Sequence, residues 1–278
     1  PTPPPACVDK LKRRSRAGAG ARLLLPKMTP LQRGALALLI LCSCQLSGSP
    51  SSTADAVSFP GNLRGGGGNE FFPSVATTWE RLPIGAKDHG IPASDFLNAV
   101  EEFLPLFDRL GAVFYVVKSD MGGNVAKLKA GLVTQPSDTI QNLILKEKMS
   151  GKHKEEKAAS GALLWLTRAL KFTHTLLANM ALGGADASSA AKDAYEATLS
   201  KHHGYVMKKS FQVALLAAPS TDSMLQCLGS SDKERTVGEV LRFVEASHPH
   251  LHALERFLVQ QGLEDASNVV GGAEARGR

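Results

Sequence analysis

Beyond Pro92 the apolar positions recur at intervals of three and four residues, the spacing that lines one side of an α-helix. Phe96, Leu97, Val100 and Leu104 form the first such stripe, with Glu101 and Glu102 on the wet side and Ser94 placed to cap it. Pro105 interrupts this helix or begins the next. A second helical region, Leu106 to about Gly131, carries Phe107, Leu110, Phe114 and Val117. A third runs from Ser137, a candidate cap, through Ile140, Leu143, Ile144 and Met149 to Gly151. A long and very apolar stretch from about Glu155 to Met180 stops at Gly183-Gly184, and further helices are predicted over Ser188 to Ala217, Thr221 to Leu228 and Thr236 to Gln261. No alternating run of useful strand length appears, so the fold class is all-α.

Upstream of Pro92 this periodicity is lost. Eleven of the 15 prolines lie at or before Pro92, with a Gly65–Gly68 run and a serine-rich stretch from Ser47 to Thr53, a composition that gains little by packing. The chain therefore divides into a low-complexity or targeting-like extension over residues 1–90, expected to be disordered, a helical domain over 91–263, and a flexible tail over 264–278. Within the extension, Met28-Thr-Pro-Leu-Gln-Arg33 precedes the apolar run Ala35 to Cys42, which resembles a secretory signal with a cleavage site at Ala54-Asp-Ala56. The run is too short to span a bilayer comfortably. The localisation that follows is cytoplasmic with transient membrane association, or secretory or organelle-targeted if residues 28–56 act as a signal.

Charge changes the picture less than the pI near 9.2 suggests. Seven basic residues stand against Asp9 alone in residues 1–27, which accounts for the whole net charge of +6, and acids and bases balance beyond that point. A balanced body is no footprint of a nucleic-acid partner. Of the four cysteines only Cys227 lies in the helical part, which fits a reducing compartment.

Polar residues in two helices carry the candidate chemistry. At about 100° per residue, Asp120, Asn124 and Lys127 fall within roughly 60° of one another and offer a carboxylate, an amide and an ammonium on one stripe. Such a trio suits a neutral, hydroxyl-rich ligand, since each hydroxyl both donates and accepts; a solvated helix face with an ordinary charge pair has the same spacing. Gly122 and Gly123 each cost about 1 kcal/mol of helix stability relative to Ala and fit close approach by a backbone or a ligand. Trp165 could be a flat platform for the apolar face of a sugar ring or an ordinary core aromatic. His203 could bond a buried polar group, but adjacent His202 points to another face of the helix, so no paired-histidine metal site is expected. No metalloprotease helix, paired-cysteine motif, phosphate loop or nucleophile elbow occurs, and no cofactor is expected.

Together these residues resemble the glycolipid transfer protein family. The resemblance runs from about Pro92 to Leu263 and rests on Phe107-Asp-Arg-Leu-Gly111, Asp120-x-x-x-Asn124-x-x-Lys127, Ile140-Gln-Asn-Leu-Ile144, Leu163-Leu-Trp165-Leu-x-Arg168-x-Leu-x-Phe172, and His203-Gly-Tyr205 followed by Phe211-Gln-x-Ala-Leu-x-Ala-Ala-Pro219. It implies a two-layer sandwich of about eight helices with a lipid site between the layers. By residue match, Asp120, Asn124 and Lys127 would bond the headgroup sugar and Trp165 would stack beneath it. His203, helped by Asp120, would hold the ceramide amide. Phe107, Phe114, Phe172, Phe211 and Leu215 would line an apolar tunnel for the chains. Tyr205 stands where the family tends to have Trp at its membrane-contact surface, which opens the way to weaker or more selective docking.

The resemblance implies a monomeric, non-enzymatic carrier that moves a glycosphingolipid between membranes through transient peripheral contact, with no nucleic-acid partner. A second branch of the family carries ceramide-1-phosphate and places cations where Asn124 and Trp165 stand here, which favours a sugar headgroup. Ceramide-1-phosphate transfer, sphingolipid sensing and a protein-binding helical scaffold are the alternatives. A hydrolase working through Asp120 and His203 would lack a positioned nucleophile with an orienting third group.

Overall fold

The computed structural model describes residues 71–84, 90–110, 114–183, 186–216, 220–228 and 232–269. Its α-helices are α1 (Phe71–Arg81), α2 (Ala93–Phe103), α3 (Leu106–Leu110), α4 (Tyr115–Thr134), α5 (Ile140–Met149), α6 (Ala159–Leu182), α7 (Ala187–Thr198), α8 (Tyr205–Leu216), α9 (Thr221–Leu228) and α10 (Lys233–Gln260). Short 3₁₀ turns cover Lys152–Lys154, Ser200–His202 and Ala266–Asn268. Among the described residues extended pairing is limited to one isolated bridge between Pro92 and Thr139. The all-α, two-layer sandwich expected from the sequence is the fold that forms, with α6 packed against α4, α7 and α10, and α1 laid along α10.

Local chemistry sets several helix ends differently from the sequence reading. Helix α2 begins at Ala93 behind Pro92, so Ser94 lies inside it and caps nothing. Thr139, rather than Ser137, caps α5 by accepting from the Asn142 amide. Asp186 and Asp232 cap α7 and α10 in the same way, through Ser189 and Arg235. The N-terminus of α6 has no cap of its own; Glu147 of α5 accepts from the Ala159 and Ser160 amides, each at 2.7 Å. That carboxylate sits where the helix dipole favours negative charge and ties α5 to α6. The single helix expected over Ser188 to Ala217 is broken: α7 ends at Thr198, a 3₁₀ turn follows, His203 is extended, and α8 starts at Tyr205.

The division of the chain near residue 90 is corrected for residues 71–84. Phe72, Val75, Ala76 and Trp79 are wholly buried, so α1 is part of the core. The Trp79 ring meets Phe96, Phe243 and His250 edge-on at 5.7–6.3 Å. Arg242 of α10 grips the Glu80 carboxylate with two nitrogens at 2.6 and 2.7 Å, and His250 Nε2 bonds the Leu82 carbonyl at 2.9 Å. The proline and glycine content around α1 masks a plain i, i+3, i+4, i+7 stripe. The tail expected over 264–278 is likewise corrected for 264–269, which pack on α6 as described below. The signal-like run over 28–56 and the rest of the proposed extension up to residue 70 lie outside the described residues.

Because α1 contributes wholly buried aromatic surface, Trp79→Ala should lower the unfolding free energy by about 3–5 kcal/mol, the usual cost of emptying so large a core site. Urea unfolding followed by far-UV circular dichroism measures it. A loss below about 1 kcal/mol would make α1 a peripheral addition rather than core.

Candidate functional site

Helix α4 has one face in the core, through Met121, Val125 and Leu128, and turns its polar stripe along the edge of that buried surface. Asn124 is itself buried, and its Nδ2 donates to Asp120 Oδ2 at 3.2 Å. Burial pushes the Asp120 carboxyl up to about 6, against the attraction of Lys127 and the bond from Asn124. Gly122 meets Leu104 only at ordinary van der Waals distance and nothing lies close to Gly123, so among the described residues no protein backbone accounts for the two glycines.

A second group forms where α6 passes the broken α7–α8 junction. The half-buried Trp165 indole lies nearly parallel to the His203 imidazole, with ring centroids 6.0 Å apart and 21° between the planes. Arg168, one turn further along α6, places its guanidinium 4.9 Å from the centre of the indole. Across the junction, the Tyr195 hydroxyl lies 3.0 Å from His203 Nδ1. His203 Nε2 is buried and has no hydrogen-bond partner among the described residues. Burial first, then the neighbouring His202, Arg168 and Lys208 charges, pulls the ring down to about 4, so it is neutral near pH 7. Tyr195 is pushed up to about 12 by burial and keeps its proton. The extended residue at 203 makes this arrangement possible, since a continuous helix would carry the imidazole past both partners.

Helices α4 and α6 pack side by side and carry the two groups. No hydrogen bond joins Asp120 to His203 among the described residues. Of the tunnel candidates, Phe107, Phe114 and Phe172 are buried in the core, whereas Phe211 and Leu215 are partly buried against it. Phe172 meets Phe211 edge-on at 5.8 Å, and Tyr195 stacks on Phe211 at 3.8 Å. Tyr205 is 76% exposed and followed by Val206 at 58%, so two apolar side chains project at the start of α8. Among the described residues no cluster of His, Cys, Asp or Glu could hold a metal ion.

The sequence reading missed Tyr195, Val206 and Glu264. Tyr195 lies on the buried face of α7, where nothing in the period separates a ring that orients an imidazole from one that fills the core. Glu264 pairs with Arg168 at 2.7 Å across 96 residues of chain, and no local spacing reports such a contact.

Comparison with known proteins bears on the family and the fold. The glycolipid transfer protein family model matches residues 91–230. A curated glycolipid transfer protein of Aureobasidium melanogenum is 33% identical over 198 residues, 70% of this chain and 95% of its own. The human pleckstrin homology domain-containing family A member 8 is 32% identical over 205 residues, which span 70% of this chain but only 39% of that protein. Among solved structures, the GLTP-fold with which FAPP2 selects simple glycosphingolipids aligns with a TM-score of 0.64 at 31% identity, covering 70% of this chain and 97% of that one. Human ceramide-1-phosphate transfer protein bound to ceramide-1-phosphate aligns with a TM-score of 0.62 at 16% identity, covering 72% and 99%, and shares the fold. With half the chain matched by the family model and a full-length relative one-third identical, this chain belongs to the glycolipid transfer protein family.

Proposed function

We propose that the chain binds a sphingolipid with a sugar headgroup and carries it between membranes without altering it. The observation that carries this reading is the buried, unpartnered Nε2 of a neutral His203 beside the half-buried indole of Trp165. If the Tyr195 hydroxyl donates to Nδ1, the remaining ring proton sits on Nε2, ready for an amide carbonyl such as that of ceramide. Trp165 then supports the apolar face of the sugar, and Asp120, Asn124 and Lys127 divide its hydroxyls among an acceptor, an amide and a donor. The alkyl chains exchange bilayer for the apolar interior around Phe107, Phe114, Phe172, Phe211 and Leu215, at about 0.8 kcal/mol per CH₂ relative to water. Tyr205 and Val206 stand two and three residues after His203 and form the transient membrane contact. Two solved relatives above 25% identity, the FAPP2 GLTP-fold and the fungal glycolipid transfer protein HET-C2, are described with glycolipids, which supports the sugar reading.

A phosphate headgroup would find less here. Arg168, the cation beside Trp165, is already paired with Glu264, and on α4 the stripe offers Lys127 beside an acidic Asp120. Galactosylceramide should therefore move between neutral vesicles faster than ceramide-1-phosphate under identical conditions. The reverse order would replace this reading with ceramide-1-phosphate transfer.

Trp165→Ala should lower galactosylceramide transfer by at least about tenfold while leaving the thermal midpoint nearly unchanged, because a platform that is not fully buried contributes to binding more than to folding. Matching losses of transfer and of stability would return Trp165 to the core.

The Asp120 carboxyl provides a pH signature. Sugar hydroxyls that donate to the carboxylate favour its ionised form, so lipid affinity should weaken below pH 6, by up to about tenfold per pH unit, and Asp120→Asn should be insensitive. In the ligand-free protein the sign is opposite: a carboxyl held above its ordinary value contributes stability that is present below about pH 4 and lost as pH rises through about 6. Calorimetric titration of a short-chain galactosylceramide between pH 5 and 7.5 checks the first; a flat profile in the parent protein would remove Asp120 from the headgroup site.

A further inference from the structure

Past α10 the chain folds back across α6. Gly262 turns the backbone with φ 66°, and the 3₁₀ turn Ala266–Asn268 follows, capped by Asp265. The segment is tied at both ends: Lys148 Nζ donates to the Gln261 carbonyl at 2.7 Å, and Lys201 Nζ to the Asn268 carbonyl at 3.0 Å. Between these ties Glu264 turns inward, its side chain 7% exposed, and accepts from Arg168 Nε at 2.7 Å; the Arg168 side chain is itself only 15% exposed. Asn268 Nδ2 donates to the other Glu264 oxygen at 2.7 Å. Burial opposes the charge on Glu264, yet Arg168, Asn268 and the Asp265 amide outweigh it and hold the carboxyl at about 2. The Arg168 that this carboxylate holds is the one whose guanidinium lies 4.9 Å from the centre of the Trp165 indole.

An exposed ion pair would say little, because two long side chains in water gain almost nothing by meeting. Here both partners are largely out of water, and the acceptor has two further donors, Asn268 Nδ2 and the Asp265 amide, that fix its carboxylate plane. Without the Glu264 charge, Arg168 would be left nearly buried and unneutralised, free to turn toward solvent or toward any anion that entered. We propose that Glu264 is a specificity-determining positioning residue: the strap Gln261–Val269 holds Arg168 in place over Trp165 as an already neutralised cation, which keeps the indole oriented for a neutral sugar and withholds the guanidinium from a phosphate headgroup. The strap thus acts on the headgroup through Arg168 and touches no lipid itself. This rests on the sugar-headgroup reading of Trp165.

The test uses the full chain with two lipids, galactosylceramide and ceramide-1-phosphate, and the variant Glu264→Gln, which keeps shape and removes charge. The ratio of galactosylceramide to ceramide-1-phosphate transfer should fall by about tenfold, the factor for one charge-assisted hydrogen bond changing owner. In Glu264→Gln combined with Arg168→Met the relative gain in ceramide-1-phosphate transfer should disappear, since the guanidinium is gone. Acrylamide quenching supplies a readout that needs no lipid: Trp79 is wholly buried, so quenchable emission reports Trp165, and it should rise in Glu264→Gln. Equal loss of transfer for both lipids, or an unchanged ratio with unchanged quenching, would overturn the proposal. If Glu264→Gln fails to fold, Asn268→Ala removes only one of the further bonds to the carboxylate and should shift the ratio the same way by about twofold; an unshifted ratio would again overturn it. A parent protein that does not move galactosylceramide would sink the carrier reading, while the quenching comparison would still decide whether Glu264 holds Arg168 over the indole.

Discussion

Loss of water around a few polar groups beside α6 is the constraint on which the rest of the site depends. Desolvation moves two of its titrating groups in opposite directions, Asp120 up to about 6 and His203 down to about 4. Both shifts drive the groups toward neutrality, so these positions cost less to dry than their polar inventory suggests. A neutral imidazole with one nitrogen fixed by Tyr195 and the other empty is a directional group rather than a charge. Such a lining fits a ligand recognised by hydroxyls and an amide, and the nearby guanidinium has its own carboxylate.

Holding polar groups in a dry place requires a rigid frame, and the fold supplies it from distant parts of the chain. Helix α1 packs its aromatic face on α10, and α10 packs on α6, so the helix that bears Trp165 is braced from behind. Glu147 steadies the start of α6, and the segment after α10 returns to it through Glu264. The break at His203 is the one departure from regular helix that the site needs. It lets the imidazole leave the α7 path and stand between Tyr195 and Trp165.

The sequence announced the helices because each long one buries a single stripe, and a stripe of period near 3.6 survives in the residue pattern. It announced Asp120, Asn124 and Trp165 because those positions are polar or bulky out of step with their helices, and because their spacing resembles a known family. Helix α1 is equally legible as Phe72, Val75, Ala76 and Trp79, but its neighbours in sequence are proline- and glycine-rich, and that composition hides its period. Ser137 and Thr139 both have the chemistry of a cap, and only geometry chooses between them. Tyr195 and Glu264 left no trace to read: one resembles any core aromatic, and the other meets Arg168 through a chain reversal that no local pattern encodes.

On the proposed function, this site chooses a neutral, sugar-bearing sphingolipid. Native mass spectrometry after incubation of the full chain with vesicles containing equal amounts of galactosylceramide, ceramide-1-phosphate and phosphatidylcholine measures that choice in one experiment. The expected result is a complex with one lipid bound whose mass increment is that of galactosylceramide, and loss of that complex in Trp165→Ala. A dominant complex with ceramide-1-phosphate or phosphatidylcholine, or no bound lipid at all, would contradict it.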